Sequence, residues 1–141
     1  IHIMKNNRQI GIWIDKRKAV MMESTSDITV VFSTVESNVE EFHPVGGARS
    51  KVAWGPKDSV SEGRYLAREK QQLKRYFQHI VQTIPNDSIV YIFGPSETKI
   101  GLKKFIEDYK IKTIELVKIA NADSMTENQM IANVTAFFKD T

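Results

Sequence analysis

The sequence predicts an α/β fold: a mixed sheet that starts as an N-terminal antiparallel meander and continues with helices and strands in the order α-β-α-β-α. The period of the apolar residues is two in the first third of the chain and roughly 3.5 after residue 58. Strand-like and helix-like segments then alternate to the end. Strands interleaved with helices after a meander imply a mixed sheet with helices packed on it.

Three or four strands form the predicted meander. Residues 9–15 alternate apolar and other side chains, the pattern of a half-buried strand. Residues 19–23 and 28–34 are β-branched or apolar runs, and the polar cluster between them is typical of a turn. An acidic stretch, residues 35–42, is the candidate for the fourth strand.

The first helix is predicted over residues 61–84. Ser59 and Glu62 have the Ser-x-x-Glu spacing of a capping box, which indicates that the helix starts there. The apolar side chains that fall close to one helical face should form its core side. They are Leu66, Leu73, Phe77, Ile80 and Ile84, with Tyr65, Tyr76 and Val81 at the edges.

Two strand–helix pairs complete the predicted fold. Residues 88–93 are almost continuously apolar, as expected for a central strand covered on both faces, and residues 113–119 alternate like a strand. The helix between them should bury Leu102, Phe105, Ile106 and Tyr109. A second Ser-x-x-Glu box at residues 124–127 should start the last helix, with apolar positions at Met130, Ile131, Val134, Phe137 and Phe138.

Composition restricts the class of protein. The chain of 141 residues is 41% hydrophobic, which suits one domain, and we expect that domain to span residues 4–141 after three residues added during cloning. The absence of cysteine excludes a disulfide framework and a thiolate nucleophile, and it fits a reducing cytoplasm. No apolar run approaches the roughly 20 residues that span a bilayer, so we expect no membrane partner.

Positive charge is concentrated in one loop and one helix. Between Arg49 and Arg75 there are eight basic and three acidic residues, whereas the net charge of the whole chain is only +3. Four polar or basic residues of the predicted helix are spaced four, three and four positions apart, so they lie on one face of the helix and form a stripe. The stripe consists of Arg64, Arg68, Gln71 and Arg75. Such a concentration of charge predicts a polyanion partner, most commonly RNA or DNA.

The predicted RNA-binding set combines the loop with the helix. Gly46 and Gly47 would let the backbone approach RNA closely, and Trp54 would stack on an unpaired base. Basic side chains would contact phosphates, namely Arg49, Lys51, Arg64, Arg68, Lys74 and Arg75. Alternatively, the glycines mark an ordinary connector and the stripe is an ordinary solvated helix face.

A smaller anion-binding site is predicted at the turn before the second helix. Residues 94–99 place backbone N–H groups at a helix start, with the side chains of Ser96, Thr98 and Lys99 nearby. The turn lacks the second glycine of a Walker loop, and Pro95 also suits an ordinary helix start.

The sequence contains no recognisable catalytic or metal-binding motif. The three histidines, His2, His43 and His79, do not have metal-ligand spacing, and there is no Gly-x-Ser-x-Gly motif. We therefore expect no metal and no cofactor, and we assign no catalytic residue.

The order of these features resembles the central domain of eukaryotic and archaeal class I peptide release factors and of their Pelota relatives. It resembles still more the small stand-alone bacterial proteins related to that domain. The resemblance covers nearly the whole chain, and it rests on the meander, the loop with Gly46 and Gly47, the basic helix, and the Gly-x-x-x-x-Lys turn from Gly94 to Lys99. It implies a fold similar to that of ribosomal protein S11 and of ribonuclease H.

The resemblance also implies a role in translation. Release factors carry Gly-Gly-Gln in this loop, and the glutamine promotes hydrolysis of peptidyl-tRNA. Here Gly46 and Gly47 match, but Ala48 replaces the glutamine and offers only a methyl group. The resemblance therefore implies a cytoplasmic protein that acts at the ribosome or on tRNA, in rescue, release or a hibernation-like role, without that hydrolysis.

Two other classes of function stay open. A ribonuclease-H-like layout could use Asp15 on the first strand and Glu23 on the second to hold Mg²⁺ for phosphodiester hydrolysis, although residues 90–93 supply no third carboxylate. Alternatively, residues 36–41 could form an acidic edge strand that is open to a protein partner.

Overall fold

The computed structural model describes the backbone of residues 7–40 and 55–140, and the side chains of residues 7–40 and 62–140. These residues form five strands and three helices. In chain order the elements are β1 Arg8–Ile14, β2 Lys18–Ser24, β3 Thr29–Glu36, α1 Gly55–Thr83, β4 Ser88–Gly94, α2 Thr98–Asp108, β5 Ile114–Asn121 and α3 Glu127–Lys139.

The strands form one mixed sheet in the order β3-β2-β1-β4-β5. Antiparallel pairing joins β1 to β2 and β2 to β3, whereas β4 runs parallel to β1 and β5 runs parallel to β4. The predicted fold class, a meander followed by α-β-α-β-α on a mixed sheet, is confirmed.

Polar side chains close the two turns of the meander. Asp15 Oδ1 accepts hydrogen bonds from the N–H groups of Arg17 and Lys18, both at 2.8 Å. Thr25 Oγ1 accepts from the N–H of Ile28 at 3.2 Å. Short side chains that bond to the backbone a few residues on are the usual means of stabilising tight turns.

Helices α1 and α2 cover one face of the sheet. Successive side chains of a strand point to opposite faces, so Ile10, Ile12 and Ile14 of β1 all face these helices. The core on this side also contains Ala19, Met21, Val35, Tyr76, Phe77, Ile80, Ile84, Val90, Ile92, Leu102, Ile106 and Ile114.

Helix α3 covers the opposite face. Its buried side chains pack against the other set of strand residues, and this second core contains Trp13, Val20, Met22, Ile89, Tyr91, Phe93, Met130, Val134 and Phe138. Gly11 of β1 permits the close approach of α3, because a Cβ at position 11 would overlap the side chain of Val134. The continuously apolar β4 is buried on both faces, as predicted.

The prediction of a fourth strand in the meander is wrong for the residues that the structure describes. Strand β3 continues to Glu36, and residues 37–40 form no strand. The N–H of Ser37 donates to the carbonyl oxygen of Arg17 at 2.8 Å, and Asn38 then adopts a φ of 54°. A left-handed residue interrupts strand geometry, so the hypothesis of an edge strand over residues 36–41 is wrong for residues 37–40, whereas Glu36 lies in β3 at the edge of the sheet.

The predicted start of the first helix is wrong, whereas the last helix starts near the predicted position but with a different capping residue. Helix α1 already begins at Gly55, so Ser59 and Glu62 lie inside it. Helix α3 is capped by Thr126, whose hydroxyl accepts from the N–H of Gln129 at 3.2 Å, while the Gln129 side chain accepts from the N–H of Thr126 at 2.9 Å. The reciprocal pair of a capping box therefore exists, two residues after the predicted one.

Two side chains that the helical pattern assigns to the core are largely exposed. Leu66 is 52% exposed, although it shares a helical face with the buried Ile80, and Tyr109 is 51% exposed. Tyr109 follows the last residue of α2, where the helix ends. The exposure of Leu66 has a different cause, which lies in the length of α1.

Candidate nucleic-acid interface

Helix α1 is much longer than the sheet that it covers. It contains 29 residues and is therefore roughly 43 Å long, whereas a strand of seven residues spans roughly 23 Å. Tyr76 marks the point at which α1 passes the end of β1, because its Oη donates to the carbonyl oxygen of Asp15 at 2.9 Å, and Asp15 is the residue after β1. The α1 residues of the main core all lie at or after Leu73. Residues 55–72 of α1, which we call its projecting half, thus extend past the ends of the strands.

A short polar network holds the projecting part of α1. The Lys16 ammonium of the β1–β2 turn forms an ion pair with the Glu69 carboxylate. Tyr65 Oη donates to Glu69 Oε2 at 2.9 Å and lies 3.3 Å from the carbonyl oxygen of Glu40. Gln72 Oε1 accepts from the N–H of Glu40 at 2.9 Å. Residues 37–40 and the β1–β2 turn therefore brace the helix, and Tyr65 is buried although it belongs to neither core.

This network changes two pKa values. The hydrogen bond from Lys16 is the main reason that the pKa of Glu69 is lowered, and the bond from Tyr65 lowers it further. The same bond to Glu69 raises the pKa of Lys16. Both groups are therefore fully charged at neutral pH.

The predicted arginine stripe lies on the solvent face of α1. Arg64, Arg68 and Arg75 are all exposed. Arg68 Nη2 lies 3.0 Å from Glu40 Oε1, so its charge is partly neutralised within the protein. Arg64 and Arg75 form no ion pair within the described ranges. Arg75 also lines a cavity of about 240 Å³ together with His79 and residues 36–38.

The structure separates Lys74 from this stripe. Adjacent residues of an α-helix point roughly 100° apart, so Lys74 lies on a different side of α1 from Arg75. Its ammonium is 5.6 Å from the centre of the Tyr109 ring, next to α2. Lys74 therefore belongs to the surface between α1 and α2.

The turn predicted as an anion site is closed by one of its own side chains. Lys99 is only 4% exposed, and its Nζ donates to the carbonyl oxygen of Ser96 at 2.5 Å. Gly94 adopts a φ of 155°, and Ser96 a φ of 65°, which turns the chain sharply between β4 and α2. Glu97 occupies the N-cap position of α2 without a side-chain capping bond. Anion binding by Ser96, Thr98 and Lys99 stays a prediction.

The loop residues of the predicted set precede the described part of α1. Five members of the predicted RNA-binding set lie outside the described residues, namely Gly46, Gly47, Arg49, Lys51 and Trp54. The same is true of Ala48 and His43. Their proposed contacts with RNA stay predictions from the sequence.

The nuclease hypothesis based on Asp15 and Glu23 is wrong. Glu23 lies opposite Ile10 in the β1–β2 register, so roughly 16 Å of strand separates it from Asp15. Arg8 Nη2 pairs with Glu23 Oε1 at 2.7 Å, and Asp15 caps its own turn. Two carboxylates at opposite ends of a strand cannot share one Mg²⁺, whose ligands lie at roughly 2.1 Å. Nor do the described residues contain any group of three or more His, Cys, Asp or Glu side chains that could hold a metal ion.

No family model matches the chain, and no curated protein matches it. None of the helices in the described ranges has both the length and the apolar character needed to cross a membrane.

Two solved structures of archaeal proteins are similar in fold. The crystal structure of the Pelota protein of Thermoplasma acidophilum has a TM-score of 0.49 at 12% identity, over 95% of this chain and 38% of that protein. The crystal structure of an archaeal translation termination factor has a TM-score of 0.46 at 15% identity, over 96% of this chain and 40% of that protein. This chain spans about two fifths of the length of either protein. A likeness at such identity concerns the fold and not the activity.

Proposed function

We propose that the chain is a translation-associated RNA-binding domain that contacts the ribosome or tRNA through the projecting half of α1 and the loop before it. The observation that carries this proposal is the position of Arg64 and Arg75. Both lie on the solvent face of α1, and neither is paired with a described carboxylate. Arg64 lies on the projecting half of the helix, and Arg75 lies where that half meets the sheet.

The chemistry of these side chains suits phosphate groups. A guanidinium presents several N–H donors in a planar fork that matches two phosphate oxygens. An arginine without an internal partner binds phosphate without first breaking an ion pair. Arg68 is also available, because its pair with Glu40 is at the surface, and exposed pairs of this kind contribute about 0–1 kcal/mol.

The loop adds the remaining contacts that we propose. Arg49 and Lys51 would bind further phosphates, and Trp54 would stack on a base. Ala48 provides no polar side chain to position a water molecule, so we propose binding without peptidyl-tRNA hydrolysis. The resemblance in sequence makes the ribosome and tRNA the first RNA partners to test.

The test is co-sedimentation of the purified protein with ribosomes and separated subunits over a series of salt concentrations. Three forms are compared: the wild type, Arg64→Glu/Arg75→Glu, and the control Lys112→Glu/Lys118→Glu. The control changes the net charge by the same amount at exposed positions near and on β5, away from the projecting half of α1.

We expect saturable binding by the wild type that weakens with salt, similar binding by the control, and loss of binding in the arginine variant. Equal loss in both variants would mean that net charge alone drives association, and it would contradict a specific role for α1. No binding by the wild type at low salt would overturn the proposal.

A further inference from the structure

A groove of about 740 Å³ lies between α1 and α2, next to the arginine stripe, and Arg68 and Gln71 of that stripe line one side of it. Its floor is apolar and is formed by Leu73 and Phe77 of α1 and by Gly101, Phe105 and Tyr109 of α2 and its cap. Gly101 keeps the two helices close at this point, because a Cβ there would come within 2.9 Å of the Phe77 ring. The groove is therefore a built feature of the packing between the helices.

The rim of the groove is strongly basic. Four basic side chains, Arg68, Lys70, Lys74 and Lys104, line it, against the single carboxylate of Asp108. Arg68 is paired with Glu40, whereas the three lysines form no ion pair with any described residue. An apolar floor with a basic rim is complementary to a ligand that carries apolar groups flanked by acidic ones.

The apolar floor continues along α1 beyond the groove. Leu66 is 52% exposed and lies seven residues before Leu73, on the same side of the helix. Together Leu66, Leu73 and Phe77 form an apolar row along roughly 16 Å of α1. That length matches about three turns of a partner helix, which would place its own apolar side chains at i, i+3 or i+4, and i+7.

From this geometry we propose that the α1–α2 groove binds an acidic amphipathic helix of a partner protein. The apolar face of that helix would cover Leu66, Leu73 and Phe105, and its Asp and Glu side chains would pair with Lys70, Lys74 and Lys104. The site adjoins the RNA-binding surface proposed above and shares Arg68 with it, but neither Arg64 nor Arg75 lines the groove.

The floor favours protein over RNA as the occupant. Bases bind proteins chiefly by stacking on open aromatic faces. Phe77 is only 8% exposed, and Phe105 packs against Tyr109 with ring centres 4.5 Å apart. The Lys74 ammonium already lies over the ring of Tyr109. Aliphatic side chains of a helix fit such a floor, whereas a sugar–phosphate backbone offers it no apolar surface.

The test uses a fluorescein-labelled peptide of 18 residues, built from Leu at helical spacing and Glu elsewhere, and measures binding by fluorescence anisotropy. A second peptide with Lys in place of every Glu is the matched probe. The variant Lys70→Glu/Lys74→Glu/Lys104→Glu reverses the rim, and Lys112→Glu/Lys118→Glu/Lys139→Glu is the control with the same change of net charge.

We expect the acidic peptide to bind the wild type and the control alike and the rim variant at least tenfold more weakly. The Lys peptide should show the reverse preference, since complementary charge sets the choice of partner. Leu66→Ser, at an exposed position that does not threaten folding, should weaken binding of the acidic peptide several-fold. Arg64→Glu/Arg75→Glu should bind the peptide normally, which separates this site from the RNA-binding surface.

Three results would overturn the proposal. The first is the absence of any binding of the acidic peptide to the wild type. The second is equal binding to the wild type and the rim variant. The third is that the wild type binds a uridine oligonucleotide and not the acidic peptide, and that only the rim variant loses this oligonucleotide binding. That result would assign the groove to RNA.

Discussion

The hydroxyl of Tyr76 on α1 donates a hydrogen bond of 2.9 Å to the carbonyl oxygen of Asp15, the residue that follows β1. Tyr76 is only 2% exposed, and the bond is partly buried. The bond fixes the position along α1 at which the helix passes the ends of the strands. All residues of α1 before this position, including Arg64 and Arg68, are carried outward past the strands.

Replacing Tyr76 by Phe should destabilise the fold by about 1 kcal/mol, the usual contribution of one buried hydrogen bond. Burial is the main reason that the pKa of Tyr76 is raised, with the negative charge of Asp15 adding to it. The unfolded tyrosine ionises above about pH 10 and the folded one does not, so wild-type stability falls as the pH rises beyond that value. Urea unfolding at pH 7, 9 and 10.5 should show a shallower alkaline loss for Tyr76→Phe. An equally steep loss in both proteins would contradict this role.

In the variant Glu69→Gln, the free energy of unfolding should fall less steeply as the pH is lowered. The pKa of Glu69 is lowered in the folded state, chiefly by the bond from Lys16. Its contribution is therefore present above the unfolded value of about 4.3 and is lost as the pH falls through the folded pKa. Urea titrations from pH 7 to pH 3 should show a smaller loss for Glu69→Gln than for the wild type. The pair of Glu23 with Arg8 remains in the variant and preserves part of the acid dependence.

Gly11→Ala should destabilise the protein by about 1–3 kcal/mol, because the added Cβ overlaps Val134 and pushes α3 away from the sheet. Val134→Ala alone should also destabilise, since Val134 is fully buried. The double variant should be more stable than the sum of the two losses predicts, because the small residue makes room for the new methyl group. A double-mutant cycle by chemical denaturation measures this coupling. Strict additivity would show that the two positions do not contact each other.

Leu66→Ala should change stability by no more than about 0.5 kcal/mol, because Leu66 lies beyond the sheet and is 52% exposed. Ile80→Ala, on the same helix but fully buried, should cost about 2–5 kcal/mol. Thermal unfolding monitored by circular dichroism compares the two variants directly. A large loss for Leu66→Ala would contradict the geometry in which the first half of α1 leaves the core.

The sequence was sufficient to predict the fold because each element has a strong period. The alternation of Ile10, Ile12 and Ile14 identified β1, and the uninterrupted apolar run of β4 identified a strand buried on both faces. The same periodicity wrongly placed Leu66 in the core. A helical pattern shows which side of a helix is apolar, but it does not show how much of the helix the sheet covers.

The candidate interface was harder to predict from the sequence, because its ion pairs join segments that are far apart in the chain. Arg68 and Glu40 are 28 residues apart, and Lys16 and Glu69 are 53 residues apart, so no local pattern connects them. The groove between α1 and α2 was missed for the same reason. Its rim takes Lys70 and Lys74 from one helix and Lys104 from another, and in the sequence these read as ordinary charges on solvated faces.

The central claim, that Arg64 and Arg75 contact phosphates, is tested most directly by the salt dependence of ribosome binding. The logarithm of the dissociation constant is measured against the logarithm of the salt concentration for the wild type and for Arg64→Ala/Arg75→Ala. If both arginines contact phosphates, the slope of the variant should be smaller by roughly 1.4–1.8, since each neutralised phosphate contributes about 0.7–0.9. An unchanged slope would mean that neither arginine touches RNA and would contradict the claim.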